Sequence, residues 1–385
     1  MIPYGRQEIT SADIEAVCEV LKSDFLTQGP KVPEFEETLA KYCDAEFAVA
    51  VNSGTSALHI SCLALGVGPG DLVWTTPVTF VASANCVCYC GADIDFVDID
   101  PLTYNISVDN LQKKLQVAAQ KGRLPKVLIV VHLCGQPCEM REIRDLAELY
   151  GFSVIEDASH ALGAKYLDYP VGNCYYSDIT VFSFHPVKII TTAEGGMALT
   201  NAPDLAEKMI SYRSHGITRD QAKMTHESDG PWYYQQTELG FNYRMNDIQA
   251  ALGTSQMSRL DEMVAERHRL AARYNEQLHD LPLLLPYQIK DFYSAFHLYV
   301  VRLILPKVAK SHRAVFEELR SAGIGVNLHY IPVHIQPYYQ KLGFCSGDFP
   351  EAEKYYREAI TLPLYHHLSE NDQDKVIGCL RDILR

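Results

Sequence analysis

Seven short apolar runs between residues 47 and 200 limit the folds open to the chain more than any other feature. They are "FAVAV" (47–51), "LVWT" (72–75), "IDFVDI" (94–99), "KVLIVVHL" (126–133), "FSVIE" (152–156), "ITVFSF" (179–184) and "MALT" (197–200). Each has strand length, and several are continuous apolar stretches rather than alternating ones, as in a strand buried on both faces. Between them lie segments of helical period, such as 55–65 before Gly66 and 139–149 before Gly151, with glycine where a helix would end. Parallel strands cannot be joined by tight turns and need crossovers of this kind. The pattern predicts an α/β protein with a mainly parallel sheet of about seven strands, covered by helices on both faces.

The flanking regions extend this plan. Thr10 or Ser11 can cap a helix whose apolar positions Ile14, Val17, Cys18 and Leu21 follow the 3.6-residue period. From Asn246 to Leu278 the sequence reads as one long helix that connects two units. A strand (297–305), a helix (308–322), a strand (324–329) and a C-terminal helix (369–384) then make a smaller α/β domain. The expected division is a large domain over 1–250, and a linking helix with the small domain over 251–385. "GVGPGD" (66–71) has the glycines of a dinucleotide loop but precedes a strand, so it reads as a turn; no Walker A sequence is present.

Composition narrows the function classes. A chain of 385 residues, 47% hydrophobic and 21% charged, is long enough for two cores. Its net charge of -14 argues against nucleic acid as a partner, because such binding needs a basic face that displaces counterions from phosphates. No apolar run is long enough to span a bilayer, and "MIPYGRQEIT" lacks the layout of a signal peptide, so a cytosolic protein without a membrane partner is expected. The cysteines number eleven and are scattered. Neither "CVCYC" (Cys86, Cys88, Cys90) nor Cys134 with Cys138 has the C-x-x-C spacing of a zinc site, and no metal is expected.

Open parallel sheets bind ligands outside the carboxyl ends of their strands, and three such ends carry notable groups here. "VNSGTSALH" runs from a strand through Ser53, Gly54 and Thr55 directly into a helix. Free N–H groups at a helix N-terminus make an anion site, to which Thr55 and Ser56 add hydroxyls, although a simple N-cap has the same appearance. "SVIEDASHALG" leaves its strand at Asp157, with Ser159 and His160 following. "VFSFHPVKIITTAEGG" leaves its strand at Ser183 and places Lys188 against two isoleucines, where a solvated charge gains nothing. A surface lysine at a strand end is one reading; a desolvated amine kept for covalent chemistry is the other. Taken together, the three ends fit pyridoxal 5'-phosphate (PLP). The lysine would form a Schiff base with its aldehyde, the carboxylate would pair with its protonated ring nitrogen, and the helix terminus would hold its phosphate. An apolar setting lowers a lysine pKa and makes the amine nucleophilic near neutrality.

The motifs "NSGTSALH", "TTPVTFVASANCV", "FVDIDP", "VIEDASHALGA", "FSFHPVKIITTAEGGM", "RSHGI", "LGFNYRMNDIQAALG" and "GVNLHYIPVH" together resemble the DegT/DnrJ/EryC1/StrS family of PLP-dependent sugar aminotransferases, over nearly the whole chain. The resemblance implies fold type I, the aspartate aminotransferase-like architecture, and a homodimer with sites at the subunit interface. It further implies amino transfer from L-glutamate to a UDP-linked 4-keto-6-deoxy amino sugar. Carried over by position, Lys188 would hold the cofactor covalently and Asp157 its ring nitrogen. Phe80 would stack on the ring and His160 approach its hydroxyl. Thr55, Ser56 and Ser183 would bind the phosphate, with Asn242 reaching in from the second subunit. Position 160 is His where many relatives have Gln. Lys188 is the aminotransferase form of a position that is His in relatives that dehydrate sugars. The residues alone leave other readings open: Phe80 as core, Asn242 as a cap, and His329 and His334 as surface groups or a weak metal pair. Two other classes also remain open, a PLP lyase of the desulfurase type and a non-catalytic regulatory protein.

Overall fold

All seven runs form strands of a single sheet in the computed structural model, which describes residues 1–384. They are β1 (Phe47–Val51), β2 (Leu72–Thr75), β3 (Asp93–Phe96), β4 (Val127–Val131), β5 (Ser153–Asp157), β6 (Ile179–Ser183) and β7 (Gly196–Thr200). Their spatial order is β1-β7-β6-β5-β4-β2-β3, and β7 alone runs antiparallel to its neighbours. Helices such as Gly54–Ala64 and Met140–Tyr150 make the crossovers, and β4 is buried along its whole length, as its unbroken apolar run requires.

Register brings the strand ends together. Val131 pairs with Asp157 and Asp157 with Val181, while Gly196 pairs with both Ser183 and Val51. The carboxyl ends of β1, β4, β5 and β6 therefore lie along one edge. Two glycines permit the close fit there. A Cβ on Gly196 would lie 2.4 Å from the Ser53 carbonyl oxygen, and one on Gly54 would lie 2.9 Å from Ser183 Cβ. The helix that follows β1 thus begins in contact with the end of β6.

A second, three-stranded antiparallel sheet is built from Leu283–Leu284, Tyr299–Leu303 and Ala359–Leu362, with the middle segment central. Its core takes Leu270, Tyr274 and Leu278 from the helix Leu260–Leu278, and Val376 and Leu380 from the C-terminal helix Glu370–Leu384. The N-terminal segment Ile2–Pro3 pairs in parallel with Ile324–Gly325. Among the described residues no helix is long and apolar enough to cross a membrane.

Three expectations need correction. The stretch from Asn246 to Leu278 is two helices, Asp247–Met257 and Leu260–Leu278, because Arg259 leaves helical geometry at φ -116°. The cause is the N-terminal helix Ser11–Leu21, which carries a buried carboxylate, Asp13, into the break. Asp13 accepts hydrogen bonds from Ser255 Oγ (2.6 Å), Gln256 Nε2 (2.9 Å) and Arg259 Nη2 (2.9 Å). This also revises the face assigned to the first helix: Asp13 and Val20 point inward, whereas Ile14 and Leu21 are exposed. Finally, the strand expected over 324–329 ends at Gly325, after which the chain turns to bring Asn327 against Thr361.

Burial would raise the pKa of Asp13, but Arg259, Ser255 and Thr10 outweigh it and hold the group at about 2. A carboxylate depressed in the folded state contributes stability above its unfolded pKa of about 3.9 and loses that contribution as pH falls. Asp13→Ala should lower unfolding free energy at neutral pH by roughly 3 kcal/mol, since it leaves Arg259 without its carboxylate partner. Denaturant titrations should show the gap to wild type closing as pH falls from about 4 to about 2.

Candidate active site

The aligned strand ends open into a cavity of about 540 Å³. Thr55, Phe80, Asp157, His160, Ser183 and Lys188 all line it, so six of the eight residues singled out from the sequence converge on one space. The other two do not line it. Ser56 is turned back into its helix, with its hydroxyl donating to Asn52 Oδ1 (2.7 Å) and lying 2.9 Å from Ser53 Oγ. Asn242 is exposed, bridged through its backbone to Ser214, and lies outside the cavity of its own chain.

One end of the cavity is formed by the start of the helix Gly54–Ala64. Ser53 caps it through a bond from Ser56 N–H (3.1 Å), and the first intrahelical bond runs from Ala57 N–H to Ser53 O. The N–H groups of Gly54 and Thr55 precede that bond and have no acceptor within the helix, which is the condition for an anion site. Ser183, at the end of β6, stands beside Gly54.

Asp157 is the last residue of β5 and is buried. Its Oδ2 accepts from Ser83 Oγ at 2.6 Å and its Oδ1 from Ser159 N–H at 3.1 Å. Strand alternation sends its neighbour Glu156 to the opposite face. There His132 Nε2–H donates to Glu156 at 2.6 Å, since His132 Nδ1 already accepts the Cys138 N–H.

Lys188 lies on the loop that joins β6 to antiparallel β7. Phe184 closes the base of that loop: its N–H donates to Gly195 O and its carbonyl accepts from Thr192 N–H. Ile189 and Ile190 anchor the loop in the core below. Burial lowers the Lys188 pKa from 10.5 to about 8, against a smaller opposing pull from Asp157. The two isoleucines therefore answer the question of why a lysine sits there: they sink the loop and desolvate the amine.

Three histidines surround this amine. Cys134 N–H donates to His160 Nδ1 at 3.3 Å, which leaves the ring proton on Nε2, 3.1 Å from the Tyr330 hydroxyl. Burial, then Lys188, then His329 push the His160 pKa well below the usual value. His297 packs on His160 with ring centroids 4.4 Å apart and is pushed down in the same way, first by burial. His329 is lowered to about 3 by burial and Lys188, and its Nδ1 meets Thr361 Oγ1 at 2.8 Å. All three are neutral near pH 7. His334, in contrast, is buried away from the cavity against Glu353 (3.1 Å).

Phe80 is 56% exposed at the cavity wall, 6.0 Å from the Tyr330 ring, and so is not a core residue. Sequence reasoning missed Tyr4, Ser83, His297 and Tyr330. Tyr4 reaches the cavity through the Ile2–Pro3 pairing, which nothing local announces. Ser83 was legible in principle, standing one helical turn after Thr79 and Phe80. One cluster outside the cavity, Glu8, His366 and His367, offers three metal-ligand atoms. A metal on His366 Nε2 would require a proton on Nδ1, a buried atom without an acceptor, and the cluster reads better as the Glu8–His366 hydrogen bond of 2.8 Å.

The comparisons with known proteins bear on this geometry. Residues 7–381 match the model of the DegT/DnrJ/EryC1/StrS aminotransferase family. The chain belongs to that family. It is 40% identical over 387 residues to the spore coat polysaccharide biosynthesis protein SpsC of Bacillus subtilis, covering all of this chain and 97% of that protein. It is 36% identical over 385 residues to the UDP-4-amino-4,6-dideoxy-N-acetyl-β-L-altrosamine transaminase of Campylobacter jejuni, covering all of this chain and 98% of that one. Among solved structures, Helicobacter pylori PseC, an aminotransferase of pseudaminic acid biosynthesis, superposes with a TM-score of 0.90 at 30% identity, covering all of this chain and 99% of the other. The protein is a PLP-dependent nucleotide-sugar aminotransferase of fold type I. The residues present fit the cofactor: a helix N-terminus for phosphate, a buried carboxylate and a desolvated amine, in a cavity that a Cβ at Gly54 would crowd at 2.9 Å from Ser183.

The pKa of about 8 gives a direct test of the amine. Capture of PLP by cofactor-free protein, followed by visible absorbance, should slow about tenfold for each pH unit below 8, because only the neutral amine attacks. Borohydride should then fix the cofactor to Lys188, and peptide mapping that finds it on another lysine would overturn the assignment.

Proposed function

We propose that this enzyme transfers the amino group of L-glutamate to C4 of UDP-2-acetamido-2,6-dideoxy-β-L-arabino-hexos-4-ulose. The product is UDP-4-amino-4,6-dideoxy-N-acetyl-β-L-altrosamine, a step of pseudaminic acid biosynthesis, and the working unit is a homodimer. The observation that carries the chemistry is the desolvated Lys188 amine sharing a cavity with buried Asp157. The choice of sugar is supported by full-length similarity to the Campylobacter transaminase.

Bound in this cavity, PLP supplies an aldehyde for the amine and a ring that takes up electrons. Lys188 Nζ would tether it at rest and, when free, would remove and return protons as general base and acid. Asp157 keeps a proton on the ring nitrogen, and Phe80 covers one face of the ring. His160, neutral and fixed at Nδ1 by Cys134 N–H, would turn its single Nε2–H from Tyr330 to the ring hydroxyl without adding charge. Thr55 and Ser183, with the N–H groups of the helix start, would hold the phosphate. Asn242 lies outside its own chain's cavity, which suits a residue that reaches the phosphate of a second copy. No cysteine is among the residues lining the cavity, which counts against the lyase reading.

A second reading has its own support. SpsC, at 40% identity, is as similar as any relative described above, and its name specifies no sugar. Another UDP- or dTDP-linked 4-keto-6-deoxy sugar is therefore the alternative acceptor. Purified enzyme incubated with PLP, L-glutamate and a panel of such keto sugars should yield, by NMR, a C4 amine on the UDP-β-L-arabino sugar at the highest rate. Preference for another member of the panel would replace the substrate while leaving the aminotransferase intact.

Asp157→Asn retains the side chain's shape and removes its charge. Turnover should fall by about a hundredfold or more while PLP still binds, on the order of 3 kcal/mol of transition-state stabilisation. Steady-state rates at saturating PLP measure this directly, and near-normal turnover would remove Asp157 from the ring nitrogen.

A further inference from the structure

The carboxylate at the centre of the site has a buried support of its own. Ser83 lies in the first turn of the helix Ala82–Tyr89, and its Oγ is 2.6 Å from Asp157 Oδ2 and 2.7 Å from Thr79 Oγ1. Proton counting fixes the direction of these bonds. A carboxylate can only accept, so the single proton of Ser83 goes to Asp157 rather than to the Phe80 carbonyl at 3.4 Å. Ser83 must then accept from Thr79. The chain runs one way, from Thr79 through Ser83 to Asp157. Thr79 is 2% exposed and Ser83 fully buried, so the two hydroxyls bond to each other and to Asp157 rather than to bulk solvent.

We propose that Ser83, backed by Thr79, is a positioning residue that sets the basicity of Asp157 toward the cofactor. The proposal rests on the placement of PLP against Asp157 given above. With Ser159 N–H on the other oxygen, Ser83 completes a pair of donors, one on each oxygen of the carboxylate. Hydrogen bonds to the charged form stabilise it and make the carboxylate a weaker base. A weaker base leaves the shared proton on the ring nitrogen instead of drawing it away, which keeps the ring positive. A chain of hydroxyls strengthens the effect, because each bond polarises the next. The segment that presents Phe80 to the cavity thus also tunes the carboxylate facing the ring nitrogen.

The test compares holoenzymes by pH titration of the visible absorbance of the lysine-bound cofactor, alongside turnover. Ser83→Ala should raise the titration midpoint by about half a unit or more, since a less positive ring makes the attached nitrogen more basic. It should lower kcat about tenfold with little change in the KM for L-glutamate. Ser83→Thr, which restores a hydroxyl, should return both toward wild type, and Thr79→Val should show the same shift at about a third of the size. A lower melting temperature in Ser83→Ala with an unmoved midpoint would assign Ser83 a purely structural role and overturn the proposal. Should Ser83→Ala fail to hold cofactor, the midpoint of Thr79→Val decides, and no shift there overturns it as well. Asp157→Asn is the reference: if it too leaves the midpoint unmoved, the fault lies in placing the cofactor against Asp157, not in the hydroxyl chain.

Discussion

A charged carboxylate kept out of water at the end of β5 is the constraint on which the site depends. Asp157 is buried, and an ionised group there is costly unless donors and a cation meet it. The fold meets that cost from three directions. Ser159 N–H comes from the turn leaving β5, Ser83 Oγ from the helix after β2, and the positive potential of Lys188 from the β6–β7 loop. Each contributor is fixed by the sheet order, which sets β5 between β6 and β4 with β2 next. The carboxylate is thus met by one donor on each oxygen where it lines the cavity.

The amine and the histidines form a second balance around the same space. Burial moves Lys188 toward neutrality, while residual positive charge on it, together with burial, keeps His160, His297 and His329 unprotonated. The cavity near the amine therefore has few fixed positive charges, and its charged groups are Asp157, Glu194 and Lys188. Such an arrangement suits chemistry in which protons move at one nitrogen and electrons drain toward another. Arg267, fully buried and bonded to the carbonyls of Phe296, His297 and Leu364, holds the His297 segment in place from the helix Leu260–Leu278. The smaller sheet thus shares in shaping a site whose chemistry belongs to the larger one.

Legibility in the sequence followed how local each signal was. The seven strands, their crossovers and the turn at "GVGPGD" were readable because apolar period and glycine placement act over a few residues. Lys188 and Asp157 could be read because each is a costly residue in an apolar run. The break at Arg259 was not readable, since it is imposed by Asp13, which lies far away in the chain. For the same reason the first helix, periodic in Ile14, Val17, Cys18 and Leu21, turned out to bury a carboxylate face instead. The hydroxyl of Ser56 read as a phosphate ligand from its place in "NSGTSALH", but Asn52 and Ser53 hold it within the helix start.

By itself the sequence determined the class of fold and the family, and singled out Lys188 and Asp157, because short-range patterning and residue chemistry carry that information. The tertiary structure decided what surrounds them. It brought Tyr4 into the cavity through a strand pairing with Ile324–Gly325, set Ser83 and Thr79 behind Asp157, and stacked His297 on His160. These contacts join residues far apart in the chain, and their geometry depends on register and on close approaches such as Gly196 against Ser53. Patterning specifies which residues must be buried and which strands must form; only the assembled sheet fixes which polar groups meet at its edge, and so where each proton rests.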